Sequence, residues 1–216
     1  MNYDPFMPDD GSNAASTRGA LIRAGTRLFA ERGFDGASVR AITREAGANL
    51  GAITYHFGTK EAFYDAVIEG VVAPFTKRVI AAAETGGSPL SRIEAVVRAY
   101  FGHLSEHPEI PRLLLQQVVA SGLPPGVALV RLRAVLEAIA AIVEAGQAEG
   151  TIREGDARLL GLGVVSQSLH LAVMRRALKE LAGIDFSDGE ARERLVDHLV
   201  QFVRGGLSAG AGKRKA

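Results

Sequence analysis

An all-α fold is predicted for this chain by three observations. No stretch alternates apolar and polar residues at the period of a strand; apolar residues recur at i, i+3, i+4 and i+7; and Gly- and Pro-rich breaks divide these runs into helix-sized pieces. Charge then separates a small basic part from a larger neutral one. Residues 16–60 hold seven basic side chains against three acidic ones, net +4, residues 61–216 carry eighteen of each sign, and the first fifteen residues have three acidic and no basic side chains. The expected organisation is a disordered arm at 1–15, a three-helix head at 16–60, a helical body at 61–208 and a flexible basic tail at 209–216. A basic module on a neutral body is the footprint of a protein that meets phosphate with one end.

Within the head, apolar Leu21, Ala24, Leu28 and Phe29 repeat at helical spacing from about Ser16 to Arg32, and Gly33 ends that helix. A second helix follows Ser38, a good N-cap; Val39, Ile42 and Ala46 share its buried face and leave Arg40, Thr43 and Arg44 outside. Gly47 suits the left-handed turn that stops this helix, and Asn49 suits the cap of the next. In that third helix Ile53 and Phe57 face inward, while Asn49, Gly51, Ala52, Tyr55 and His56 face outward. Two short helices joined by such a turn have helix-turn-helix spacing, and small residues beside one aromatic ring and one imidazole fit a DNA major groove.

The run Asn49-Leu50-Gly51-Ala52-Ile53-Thr54-Tyr55-His56-Phe57-Gly58-Thr59-Lys60-Glu61-Ala62 resembles the recognition helix and fourth-helix start of the tetracycline-repressor (TetR) family, and the likeness covers roughly residues 16 to 70. The resemblance implies DNA contacts from Arg40, Leu50, Gly51, Thr54, Tyr55 and His56 and a phosphate contact from Lys60; Ser38, Thr43 and Asn49 complete the candidate surface. It also implies a body that dimerises and binds a small effector, and so a repressor released from a palindromic operator. The alternative is an architectural DNA-binding dimer without an effector.

The body reads as further helices. One starts at the Thr59 cap, with Pro74 expected to kink or break it; the next starts at Ser88-Pro89 and runs to about His107; another follows Pro108 and Pro111 and ends before Gly122-Leu123-Pro124-Pro125-Gly126. Helices over about 127–149, 156–182 and 187–207 complete it, the last with Ala191, Leu195, Leu199 and Phe202 as its apolar stripe. The 156–182 helix is apolar nearly all round, which one monomer cannot bury, so a homodimer through the last two helices is expected. Phe101, Gln116, Gln117, Gln167, His170 and Met174 place amides, an imidazole or a thioether among apolar positions, as the lining of a largely apolar effector pocket would.

Other chemistry is poorly served. The chain has no cysteine, which excludes disulfides and thiolate sites and is compatible with a reducing compartment. The acidic start is the wrong n-region for a signal peptide and no uncharged apolar run reaches about eighteen residues, so a cytoplasmic protein without a membrane partner is expected. HExxH, GxSxG and GxGxxG elements are absent, and Gly210-Ala211-Gly212-Lys213 lacks the first Gly and final Ser or Thr of a P-loop, so neither enzymatic activity nor a cofactor is expected. His103 and His107 lie at i and i+4 with Glu106 nearby, a spacing able to hold a divalent ion; with His107 at a helix end and no further ligand evident, no metal is assigned.

Overall fold

In the computed structural model the described residues, 10–186 and 188–209, form nine α-helices: α1 (Asp10–Gly36), α2 (Val39–Glu45), α3 (Ala52–Phe57), α4 (Lys60–Ala83), α5 (Pro89–Glu106), α6 (Glu109–Ser121), α7 (Gly126–Ala148), α8 (Ala157–Ala182) and α9 (Gly189–Leu207). Their only β-structure is an isolated antiparallel bridge between Ile152 and Ser208. Of the expected arm and tail, residues 1–9 and 210–216 lie outside the described residues. Residues 10–15 are helical, so α1 starts ahead of Ser16; Ala14 and Ala15 are strong helix formers, and acidic residues suit a helix N-terminus.

The helices fall into two compact units. One extends to Val71 and also takes in Arg112–Val127; the other comprises Val72–Pro111 and the chain from Ala128 onward. The unit that holds the helix-turn-helix therefore includes the first half of α4 and most of α6, beyond the 16–60 read from sequence. Its core is Leu21, Leu28 and Phe29 of α1, Ile42 of α2, Ile53 of α3 and Phe63, Val67 and Ile68 of α4, each 0–2 % exposed. Phe29 packs against Phe63 and Tyr64 with centroids 5.7 and 4.9 Å away, and Phe57 of α3 meets Phe63 at 4.8 Å. Gly25 permits this closeness: a Cβ there would lie 2.5 Å from Phe63 Cζ.

Local signals set most helix ends. Ser38 Oγ accepts from Ala41 N at 3.2 Å, Ser88 Oγ from Ser91 N at 3.3 Å, and Asp156 Oδ1 from Arg158 N and Leu159 N at 2.8 and 3.1 Å. α9 starts at Gly189, two residues inside the 187–207 span expected, and its cap is Asp188, whose carboxylate accepts from Glu190 N at 3.0 Å. Pro74 does not break α4, which is continuous from Lys60 to Ala83. Pro74 and Gly70 are both exposed, so the carbonyl left without its helical donor is open to water.

In the second unit α5 is the central helix, packed against α8 and α9, with Ile93, Val96, Val97, Tyr100, Phe101, His103 and Leu104 buried. Tyr100 meets Phe75 edge-on at 4.9 Å and Phe101 meets Phe186 at 5.7 Å. Burial pushes the Tyr100 phenol up to about 12. Arg98 pairs with Asp197 at 2.6 Å, and Arg204 with Glu94, joining α5 to α9. The α7–α8 loop is sewn to the end of α9 by Arg153 N to Leu207 O, 2.8 Å, and Ala209 N to Thr151 O, 3.1 Å.

α8 buries Gly161, Val164, Ser168 and Ala172 and turns Leu159 (67 % exposed), Leu162 (47 %) and Val173 (43 %) the other way. Phe202, expected in the buried stripe of α9, is 55 % exposed; the buried stripe is Val196, Leu199, Val200, Val203 and Leu207. With a mean hydropathy of 1.3 over its most apolar stretch, α8 meets the length and composition of a membrane span, which its uncharged run alone did not suggest.

Candidate nucleic-acid interface

α2, the turn and α3 form the helix-turn-helix. Gly47 has φ 65°, the left-handed conformation that reverses the chain after α2, and Ala46 N and Ala48 N close the turn on Ile42 O and Thr43 O at 2.9 Å each. The salt bridge from Arg27 of α1 to Glu45 of α2 fixes the first helix against its support. α3 enters at Gly51 with no side-chain cap; Asn49 contributes its carbonyl to Ala52 N at 3.1 Å, so its amide is not the cap expected and remains exposed.

What α3 leaves uncovered is distinctive. Tyr55 is 81 % exposed and Leu50 62 %, two large apolar side chains that folding would otherwise bury. Gly51 and Thr54 are exposed beside them, and the half-buried His56 ring meets Tyr55 edge-on at 4.9 Å. A groove of about 730 Å³ runs along this surface, lined by Thr17, Gly47, Asn49, Gly51, Tyr55 and His56 among others. Ser38 and Arg40 are exposed on α2 and its cap. These groups supply a guanidinium, an amide, hydroxyls and an imidazole, the donors and acceptors that read base edges and hold phosphates.

Ala52, expected on the outward face of α3, is 5 % exposed, and two site candidates are also placed otherwise than expected. Thr43 is 3 % exposed and its hydroxyl donates to Val39 O at 3.0 Å. It lies beside Ile42 and one turn after Val39, inside the buried arc of α2, so it shapes the helix and does not face outward. Lys60 Nζ donates to Phe34 O at 2.6 Å and sits 4.5 Å from the Phe34 ring centroid, so its ammonium is turned into its own unit. The sequence also missed Ala14 and Thr17, which border the groove from α1; the helix-forming Ala14-Ala15 pair was the available signal.

The six residues read as a pocket lining are divided between the two units. Phe101, Gln167, His170 and Met174 belong to one unit and Gln116 and Gln117 to the other. Gln116 Nε2 donates to Ala30 O at 3.0 Å and Gln117 Nε2 to Ser121 Oγ at 3.3 Å. Gln167 and His170 are exposed because they fall outside the buried phase of α8 set by Val164, Ser168 and Ala172; Met174 is half-buried. Two polar groups that the sequence reading passed over are enclosed in this unit instead: the hydroxyls of Ser105 on α5 and Ser168 on α8 are buried without a hydrogen-bond partner among the described residues.

Residues 21–67 match the model of bacterial regulatory proteins of the tetR family, and residues 89–203 match that of the tetracyclin repressor-like C-terminal domain. The chain belongs to the TetR family. Like its family, it is a DNA-binding transcriptional regulator, with an all-α fold of helix-turn-helix head and helical body. Among relatives, this TetR-family chain is 27 % identical over 199 residues to the transcriptional repressor NicS of Pseudomonas putida, covering 90 % of the chain and 93 % of NicS. It is 30 % identical over 92 residues to the repressor KstR2 of Mycobacterium tuberculosis (43 % of this chain, 46 % of KstR2) and 27 % identical over 192 residues to the activator FasR of Mycolicibacterium smegmatis (88 % and 83 %). The solved structure of the ketosteroid transcriptional regulator KstR2 of M. tuberculosis superposes with a TM-score of 0.69 at 19 % identity, covering 88 % of this chain and 94 % of that one.

Proposed function

We propose that this TetR-family regulator is a cytoplasmic homodimer that represses transcription by occupying a near-palindromic operator, and that a small, largely apolar effector releases it. The observation that carries the DNA-facing part is the outward display of Leu50 and Tyr55 on the recognition helix, 62 % and 81 % exposed. In this reading Arg40, Asn49, Leu50, Gly51, Thr54, Tyr55 and His56 meet base edges and Ser38 meets phosphate. Lys60 reaches phosphate only by leaving Phe34. Repression is the reading taken from NicS and KstR2, both named repressors; FasR, named an activator, is 27 % identical over 88 % of the chain, and a promoter-reporter assay on the selected operator separates the two.

The dimer is supported by the apolar outer face of α8 and by Phe202 beside it. A hollow of about 190 Å³ between α8 and α9, bordered by Leu159, Gly163 and Phe202, offers a second copy something to fill. This face accounts for the length and apolarity of α8 without a bilayer. A twofold dimer carries two recognition helices, hence the palindrome. We assign the effector to the body at α5 and α8, because these two packed helices carry the Ser105 and Ser168 hydroxyls, buried without a hydrogen-bond partner among the described residues. α4 begins one residue after the Thr59 cap and continues into the body, so it is the covalent route by which body and head influence each other.

The test is selection of bound sequences from genomic and random DNA, then titration of the selected operator complex with apolar, planar and acyl compounds, using thermal shift as a second readout. A palindromic operator and compounds that both stabilise the protein and lower operator affinity are expected. Release requires tighter binding to the DNA-incompetent state, and a coupling of about 1–3 kcal/mol suffices. Compounds that stabilise the protein without changing operator affinity would favour the effector-free architectural dimer.

A further inference from the structure

The last turn of α5 and its C-cap residue, His103-Leu104-Ser105-Glu106-His107, gather three metal-binding side chains. One ligand atom from each of His103, Glu106 and His107 lies within 4.8 Å of the other two, and the imidazole centroids are 4.6 Å apart. His103 is 7 % exposed and braced by the Phe75 ring at 5.5 Å, while Glu106 and His107 are exposed. One donor is thus held rigidly and an ion can reach the other two from solvent. Glu109 Oε1 lies 3.3 Å from His107 Nδ1, which orients that ring and sets another carboxylate at the edge of the cluster.

We propose that His103, Glu106 and His107 form a binding site for a divalent first-row transition ion of the zinc, nickel or cobalt class. Two imidazoles and a carboxylate are the donors these ions take, whereas magnesium and calcium prefer all-oxygen shells. Glu106 follows His103 by three residues and precedes His107, so local helical spacing brings the three together; the fold adds the Phe75 ring that braces His103. It also supplies a competitor, because Arg78 of α4 donates to Glu106 Oε2 at 2.9 Å. An incoming ion takes the other carboxylate oxygen or displaces the guanidinium, so occupancy alters the α4–α5 contact.

The experiment uses the untagged full-length chain, stripped with chelator. Co²⁺ is titrated while its visible absorption is followed, Zn²⁺ is added in competition, and the thermal midpoint is recorded with and without each ion. One ion per chain is expected, with a raised midpoint. His107→Ala and Glu106→Gln alter exposed side chains and are each expected to weaken binding by at least about tenfold, with the unliganded fold retained. Arg78→Ala, which removes the competing cation, is expected to tighten it. Absence of binding by the native chain, or equal binding by it and by the His107 and Glu106 variants, would overturn the site; in the second case the ion sits elsewhere, on His56, His170 or His198.

Discussion

The side-chain amide of Gln116 on α6 donates to the backbone carbonyl of Ala30 on α1 across 3.0 Å. This bond fastens the second part of α6 to the support helix of the DNA-binding head, and both residues lie in one compact unit. Gln116→Ala should cost about 1 kcal/mol of stability by denaturant titration, the net value of one part-buried hydrogen bond. Because α6 is a single helix from Glu109 to Ser121, the same variant should blunt the effect of an effector on operator affinity more than it changes operator affinity itself. An unchanged effector response would leave α6 out of the signal.

Operator affinity is expected to fall by about 1–3 kcal/mol in both Arg40→Ala and Tyr55→Ala, with unfolding midpoints close to the native value, because both side chains are exposed. Fluorescence anisotropy on operator and scrambled duplexes separates loss of specificity from loss of phosphate attraction. Equal affinity of either variant and the native chain for operator would remove that residue from the interface.

Lys60→Ala should behave differently. Its ammonium holds the Phe34 carbonyl and ring, so the expected result is a stability loss of about 1–2 kcal/mol measured by chemical denaturation without DNA. A variant as stable as the native chain, but with a shallower salt dependence of DNA binding, would restore Lys60 to a phosphate-contacting role.

Gly25→Ala places a methyl group 2.5 Å from Phe63 Cζ and 2.9 Å from Val67 Cγ2, two side chains that are themselves fully buried. Neither can swing into solvent, so α1 and α4 must separate. A destabilisation of about 1–3 kcal/mol is expected, accompanied by weaker operator binding as the support of the helix-turn-helix shifts. A thermal melt indistinguishable from that of the native chain would show that the core yields without cost.

Tyr100 gives a pH dependence with a definite sign. Burial raises its phenol to about 12 from an ordinary value near 10, so the folded state keeps a proton that the unfolded chain releases. The associated stability is fully present below about pH 10 and is lost as pH rises through about 12, amounting to about 2–3 kcal/mol. Tyr100→Phe should therefore lose less stability than the native chain between pH 8 and pH 11 in parallel denaturant titrations. Identical losses would mean that the phenol ionises as it does in water.

The sequence alone determined the all-α class, most helix boundaries, the helix-turn-helix and the family resemblance. These rest on local rules: the 3.6-residue period that sorts Ile42 and Ile53 inward, the caps at Ser38, Ser88 and Asp156, and the left-handed Gly47. Only tertiary structure decided where individual polar and large side chains went. Thr43 is buried, Lys60 turns back onto Phe34, Phe202 faces outward, Gln116 serves the head, and Glu106 pairs with Arg78. The reason is that a helical period fixes the direction of a side chain from its own axis, whereas burial and bonding depend on partners 26, 28 or 86 residues away in the chain.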